Sequence, residues 1–363
     1  MNFGLSEEQV LLKDTIRRFL TEQCDTTRVR TIMESETGHD AGLWRDLAGL
    51  GIAGLTIDER HGGAGLELLD LALAAEELGH AATPGPFLAV ALATVALGAS
   101  GNRPAQDRWL PEIAAGDAIV TLALAEDDCE WDAARVKTTA SGGTLTGTKT
   151  FVPYGAAADA ILVAAAEAGE PGLWLVERGA AGLSVRPRAG IDMTRRLDRL
   201  TFDRTPAIRL AAGRAAIDRA RDAGLVLIAA DAYGGACRCL EMTTEYALTR
   251  EQFGQVIGAF QAVKHQLAEL TAEIEPSLSL YWYAAHAFDH MPDKAERHAA
   301  LAKAHLTDLY DRVTRVTTEL HGGIGFTWEF DLHLWFRRSI FDRGFLGEAG
   351  HHRERAAALA GWC

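Results

Sequence analysis

The chain has 363 residues, 48% apolar and 24% charged, a composition that excludes intrinsic disorder and allows two or three domains with a large core. Its formal net charge of −14 is opposite in sign to that of a nucleic-acid or anionic-membrane binder. Five cysteines (Cys24, Cys129, Cys237, Cys239, Cys363), odd in number and without a CxxC pair, exclude a disulfide scaffold or zinc ribbon and point to a reducing, cytoplasmic setting. Met1-Asn2-Phe3 leads directly into a polar helix start, so no signal peptide is expected, and no apolar run reads as membrane-spanning.

Residues 1–118 read as helices joined by glycine turns. Ser6 and Gln9 have capping-box spacing, and Leu12, Ile16, Phe19 and Leu20 follow at helical intervals. Further helices are predicted around Leu43–Leu47, from Leu66 to Leu78 and from Phe87 to Leu97, with a glycine-rich turn at Asp58 to Gly65. Residues 119–211 switch to short strand-like runs: Ile119–Ala125, Thr144–Val152, Ile161–Ala165, Leu173–Val176 and Leu200–Phe202. Gly142-Gly143 sits between two such runs like a hairpin turn. Residues 212–363 return to long alanine-rich helices: Ala215–Ala247, Ala259–Phe288, Asp293–His321 and one after Gly350. The expected class is α+β: an N-terminal helical domain, a small central β domain and a C-terminal four-helix bundle.

Two motifs mislead. Gly49-Leu50-Gly51-Ile52-Ala53-Gly54 matches G-x-G-x-x-G, but a helix with Trp44 and Leu47 precedes it where a dinucleotide fold needs a strand. It reads as a helix-ending turn. His286 and His290 have metal-ligand spacing but no third ligand, and adjacent His351 and His352 diverge on a helix, so no metal site is expected. No G-x-S-x-G, P-loop or HExxH motif occurs.

The informative constellation lies in the last third. Glu245 to Gly254 carries Arg250 and Phe253, Ile257 to Gln261 follows, and some way on comes Leu320-His321-Gly322-Gly323-Ile324-Gly325-Phe326. An Arg at a helix end beside a glycine break can hold a phosphate, Phe253 offers a flat face, and Gln261 can address a heteroatom. The second glycine stretch lets backbone N–H groups approach an anion.

Here the chain resembles the acyl-CoA dehydrogenase family, whose signature R-x-x-F-G-x-x-I-x-x-F-Q stands as Arg250 to Gln261. Leu5-Ser6-Glu7-Glu8-Gln9, Ile57 to Gly65, Gly147 to Thr150 and Ala158-Asp159 resemble other parts of the family pattern, so the likeness runs the whole length. It implies FAD as cofactor, an acyl-CoA thioester as substrate, and α,β-desaturation in which a carboxylate takes the α-proton. It assigns Arg250, Phe253, Gln261, His321, Gly322, Gly323 and Gly325 to the ADP end of FAD, with His321 replacing the family's usual Gln or Asn.

The stretch that holds the isoalloxazine in the family, Thr-Glu-Pro-x-Ala-Gly-Ser-Asp, reads here Ala125-Glu126-Asp127-Asp128-Cys129-Glu130-Trp131-Asp132, and Trp-Ile-Thr/Ser reads Phe151-Val152-Pro153. The five carboxylates of the first stretch look ill-suited to a reduced flavin anion. Counting from Arg337, the base position falls on Leu346, with Glu348 two residues on; the alternative base position falls on Gly224 or Leu225, near Asp222. Two readings follow. Either the chain is one subunit of a heteromeric (α2β2) dehydrogenase for bulky, steroid-type acyl-CoA esters, sharing a FAD site with a homologous chain, or it is a self-sufficient homo-oligomer with Glu348 as base. The resemblance is to the shorter subunit of such heteromers.

Overall fold

The computed structural model describes residues 4–128 and 130–362. Residues 1–3, on which the expectation of no signal peptide rests, and Cys129 and Cys363, two of the five cysteines, lie outside the described residues. Helices α1 (Glu7–Gln23), α2 (Thr26–Glu34), α3 (Ala41–Gly49), α4 (Leu68–His80), α5 (Phe87–Ala99) and α6 (Arg103–Ala114) come first. Strands β1 (Val120–Ala123), β2 (Thr139–Ser141), β3 (Thr144–Pro153), β4 (Ala160–Glu167), β5 (Glu170–Glu177), β6 (Leu183–Arg188), β7 (Leu197–Pro206) and β8 (Ile208–Leu210) follow. Helix α7 (Gly213–Thr249), the short hairpin β9 (Glu251–Gln252) and β10 (Gln255–Val256), then α8 (Gln261–His290), α9 (Pro292–His321), α10 (Leu332–Gly344) and α11 (Ala349–Leu359) complete the chain. The helix–β–helix order is the one expected.

The chain divides into two compact units, Met1–Arg30 with Ala72–Thr83 and Leu225–Cys363, and Thr31–Leu71 with Pro84–Gly224. In the first, α4 meets α7 backbone to backbone. A Cβ on Gly79 would lie 2.2 Å from the Asp231 carbonyl, and one on Gly234 would lie 2.0 Å from that of Glu76. Neither glycine can carry a side chain without parting the helices. Buried polar groups then fix the packing. Arg338 of α10 forks onto Asp231 of α7 at 2.8 and 2.6 Å and donates to the Thr83 carbonyl, while Trp335 Nε1 donates to the Gly79 carbonyl. Glu76 and Glu77 on α4 accept from Lys13 and Arg17 of α1. Ser6 and Gln9 cap α1 reciprocally, as their spacing predicts.

The second unit holds an eight-stranded sheet ordered β6-β7-β3-β2-β4-β5-β8, with β1 parallel to β4. Gly142 and Gly143, at φ 55° and 77°, turn β2 into antiparallel β3 with Ser141 opposite Thr144, the two-residue hairpin expected. Gly51 sits at φ 87° just after α3 and leads into a 3₁₀ turn, so the G-x-G-x-x-G run is a helix-ending turn.

Helices α2, α6 and α10 and strands β2, β6, β8, β9 and β10 were not among the elements read from the sequence. Helix α6 carries Pro104 and Pro111, α10 buries Arg338 and Asp342 in what reads as a charged stretch, and β6 is almost wholly exposed. One expectation is corrected: α7 is long and apolar enough to cross a membrane by those criteria alone. Its apolar stretch is 78% buried inside the protein, which explains the composition as that of a core helix.

Candidate functional site

Helix α7 ends at Thr249, and the Arg250 carbonyl accepts from the Ile257 N–H at 2.8 Å, closing the β9–β10 hairpin against the helix end. At its tip Phe253 (φ 52°) and Gly254 (φ 79°) form a left-handed two-residue turn. A left-handed phenylalanine costs about 1–2 kcal/mol, and here it aims a ring that is 93% exposed outward. Gly258 is required by close approach, since its Cβ would lie 2.8 Å from the Ala247 carbonyl. Arg250 is exposed, and its guanidinium has no ion-pair or hydrogen-bond partner among the described residues. Gln261 is exposed as the first residue of α8, whose N-cap Phe260 offers no side-chain cap.

The second half of the constellation is joined to the first through His321, the last residue of α9. Its Nδ1–H donates to the Thr317 carbonyl at 2.7 Å, which leaves Nε2 as a buried acceptor without a partner among the described residues. Tyr246 of α7 stacks on the imidazole at 4.4 Å, and Phe330 packs at 4.6 Å. Burial lowers the His321 pKa, which keeps the ring neutral. Beyond it, Gly322 (φ 66°) and Gly323 are exposed, with open space where a side chain would stand, whereas Gly325 is buried and its Cβ would meet the Thr318 carbonyl at 2.6 Å. Tyr246 and Phe330 were not singled out in the sequence. Tyr246 stood inside the quoted motif and carried a signal that only its stacking partner makes readable.

Glu348 occupies a different place. It is the exposed N-cap residue of α11, and its carboxylate makes no hydrogen bond or ion pair among the described residues. Leu346, at the counted base position, is buried in the left-handed region at φ 60°. Two fully buried bases pin this loop. Lys303 Nζ donates to the Arg343 and Gly347 carbonyls at 3.0 and 2.9 Å, and His352 Nε2–H donates to the Leu346 carbonyl at 2.9 Å. Burial brings Lys303 down to about 7 and His352 down to about 3. His351 is exposed while His352 is buried, which realises the divergence expected of adjacent residues. Asp222 accepts from Arg221 at 3.0 and 2.9 Å, and Leu225 is buried.

The carboxylates of the 125–132 stretch are not a bare negative cluster, which corrects the electrostatic reading above. Glu126 is bonded by buried Lys149 at 2.9 Å and by Thr138, Asp127 by Arg199 at 2.5 and 2.7 Å, Asp128 by Lys137, Glu130 by Arg135 at 3.1 Å, and Asp132 by Arg214 at 3.4 Å. Burial would raise the Glu126 pKa, but Lys149 and the Thr138 hydrogen bonds outweigh it and hold it below the usual range. Burial in turn brings Lys149 down to about 8. Each charge is offset locally, so repulsion of an anion is not what distinguishes this stretch.

Residues 6–117 match the model of the acyl-CoA dehydrogenase N-terminal domain, and residues 211–360 match that of the C-terminal domain. The acyl-CoA dehydrogenase IpdE2 of Mycobacterium tuberculosis is 35% identical over 92% of this chain and 91% of its own. The chain belongs to the acyl-CoA dehydrogenase family. Among solved family structures, a variant of the steroid ACAD Tcur3481–Tcur3483 superposes with a TM-score of 0.91 at 34% identity, covering 98% of both chains. The ChsE4–ChsE5 complex of M. tuberculosis gives 0.90 at 28% identity, covering 100% of both. The family's chemistry is FAD-dependent oxidation of an acyl-CoA, in which the flavin supplies the hydride acceptor. The residues around Arg250 fit the ADP end of FAD. They offer an unpaired guanidinium, open glycine backbone, a helix start without a side-chain cap and an exposed aromatic face.

Proposed function

We propose that this acyl-CoA dehydrogenase is one subunit of a heteromeric enzyme that desaturates a bulky, steroid-type acyl-CoA ester. It contributes the ADP-end contacts of a shared FAD site, while a homologous chain supplies the isoalloxazine seat and the base. The observation that carries this reading is the contrast within the chain itself. Arg250, Phe253, Gln261, Gly322 and Gly323 are exposed, with the Arg250 guanidinium unpaired among the described residues and buried His321 and Gly325 behind them, while the counted base position holds buried Leu346. A carboxylate that removes an α-proton must reach the thioester and have its pKa raised by desolvation. Leucine has no proton to exchange. Steroid-type substrates are suggested by the steroid ACAD at 34% identity, and a two-chain assembly by the ChsE4–ChsE5 complex.

In this role Arg250 places a fixed positive charge against a phosphate, and the glycine backbone approaches the same group without side-chain obstruction. His321 braces the two segments through its stack on Tyr246. The test pairs two variants in the co-expressed complex. Arg250→Ala strips flavin, whereas Glu348→Gln leaves turnover within about twofold of the parent. A complex that keeps its flavin without Arg250, or loses turnover with Glu348→Gln, contradicts the proposal and favours the self-sufficient enzyme with Glu348 as base.

A further inference from the structure

The two stretches that line one isoalloxazine in the family touch each other in this chain. Trp131, standing where the family pattern has serine, packs against Phe151, standing where it has tryptophan, with ring centroids 6.3 Å apart at 31°. The Arg188 guanidinium lies 4.8 Å from the Phe151 ring centroid, within cation–π range, and donates to Thr150 Oγ1 at 2.6 Å. Phe151 is aimed into this cluster by a bulge in β3. The β3–β7 register shifts between Lys149 and Val152, and Phe151 takes φ 52°. A left-handed phenylalanine persists only where its surroundings over-determine it. Here Thr150 N–H is held by the Ala125 carbonyl on one side, and Pro153 carbonyl by Thr121 Oγ1 on the other.

The loop that carries Trp131 is anchored along its length by the five carboxylate–cation pairs described above. Asp132 also caps its own 3₁₀ turn through the Ala134 N–H. Beside it lies a cleft of about 200 Å³ walled by Glu126, Asp127, Asp128, Lys137, Thr138, Gly147 and Thr148. Sites that bury a cofactor-sized ring run to roughly 300–1,000 Å³ and are mostly apolar. This cleft is smaller.

We infer that the isoalloxazine seat of this chain's own β domain is filled by its own side chains, a Trp131–Phe151–Arg188 cluster held by an ion-paired loop, so that the domain rejects a flavin ring. The inference deepens the subunit reading and rests on it for its meaning: a flavin anchored at Arg250 must find its ring seat on another chain. Its physical content is local to the β domain, and its test needs no partner.

Lumiflavin carries the isoalloxazine but no phosphate or adenine, so it does not probe Arg250. Quenching of its fluorescence is titrated with the full chain, with Trp131→Ser and with Phe151→Ala, each checked for a cooperative melt by circular dichroism. Two separate openings of the cluster are used so that misfolding of one variant leaves the other. The expected result is saturable binding by the folded variants more than about tenfold tighter than by the parent chain. Equal affinity in parent and variants, whether measurable in all or undetectable in all, overturns the inference. A failed Arg250→Ala test with tighter lumiflavin binding in the variants would overturn the shared site while leaving the filled seat standing.

Discussion

Arg250 is the residue on which the cofactor reading turns. A charge-assisted hydrogen bond to a phosphate contributes about 1.5–3 kcal/mol, so Arg250→Ala should weaken FAD retention by roughly 10- to 100-fold. Arg250→Lys keeps the charge but loses the planar fork, and its affinity should fall between the two. Ultrafiltration of free flavin from the co-expressed complex reads both. His352 makes a second, independent prediction. Burial brings its pKa to about 3 from an ordinary 6.5, because a proton on Nδ1 would be buried without an acceptor, beside Lys303. The unfolded chain therefore binds the proton first. This contribution to stability is fully present above about pH 6.5 and is lost as the pH falls toward 3. Urea midpoints measured across that window should fall more shallowly for His352→Gln than for the parent. A parallel profile would show that His352 does not hold the loop in this way.

Elements differ in how far their sequence reveals them. Helix α1 announces itself through Ser6 and Gln9, and the β2–β3 hairpin through Gly142-Gly143, because caps and tight turns are local chemistry. The glycine break beside the end of α7, at Arg250 to Gln261, was legible for the same reason, although the β9–β10 pairing within it was not read. Helix α10 was not, because its charges point inward: Arg338 is satisfied by Asp231, more than a hundred residues earlier in the chain. No local pattern records a partner at that distance. The acidic 125–132 stretch misled in the converse way, since its neutralising cations lie on other strands and turns. The Arg338–Asp231 pair is therefore where α10 depends on α7. Removing one member of a buried pair strands the other charge and costs about 3–5 kcal/mol. Arg338→Met should lower the free energy of unfolding, read from urea titration, by that much, and Arg338→Met with Asp231→Leu should recover most of it.

On the scale of the whole molecule, a chain of net charge −14 binds a polyanionic cofactor only where local cations override the overall field. Arg250, with no carboxylate partner among the described residues, is suited to that task, whereas Lys149, Arg199, Lys137, Arg135 and Arg214 are engaged by carboxylates of the 125–132 stretch. The chain thus presents one open half-site and one filled one, and the consequence is a stoichiometry. The deciding measurement is the flavin content, by absorbance after denaturation, of this chain purified alone and after co-expression with a homologous acyl-CoA dehydrogenase chain. The shared-site account predicts a colourless protein alone and half-stoichiometric FAD per chain in the complex. A yellow protein alone, carrying one FAD per chain and bleached by an acyl-CoA, would contradict it.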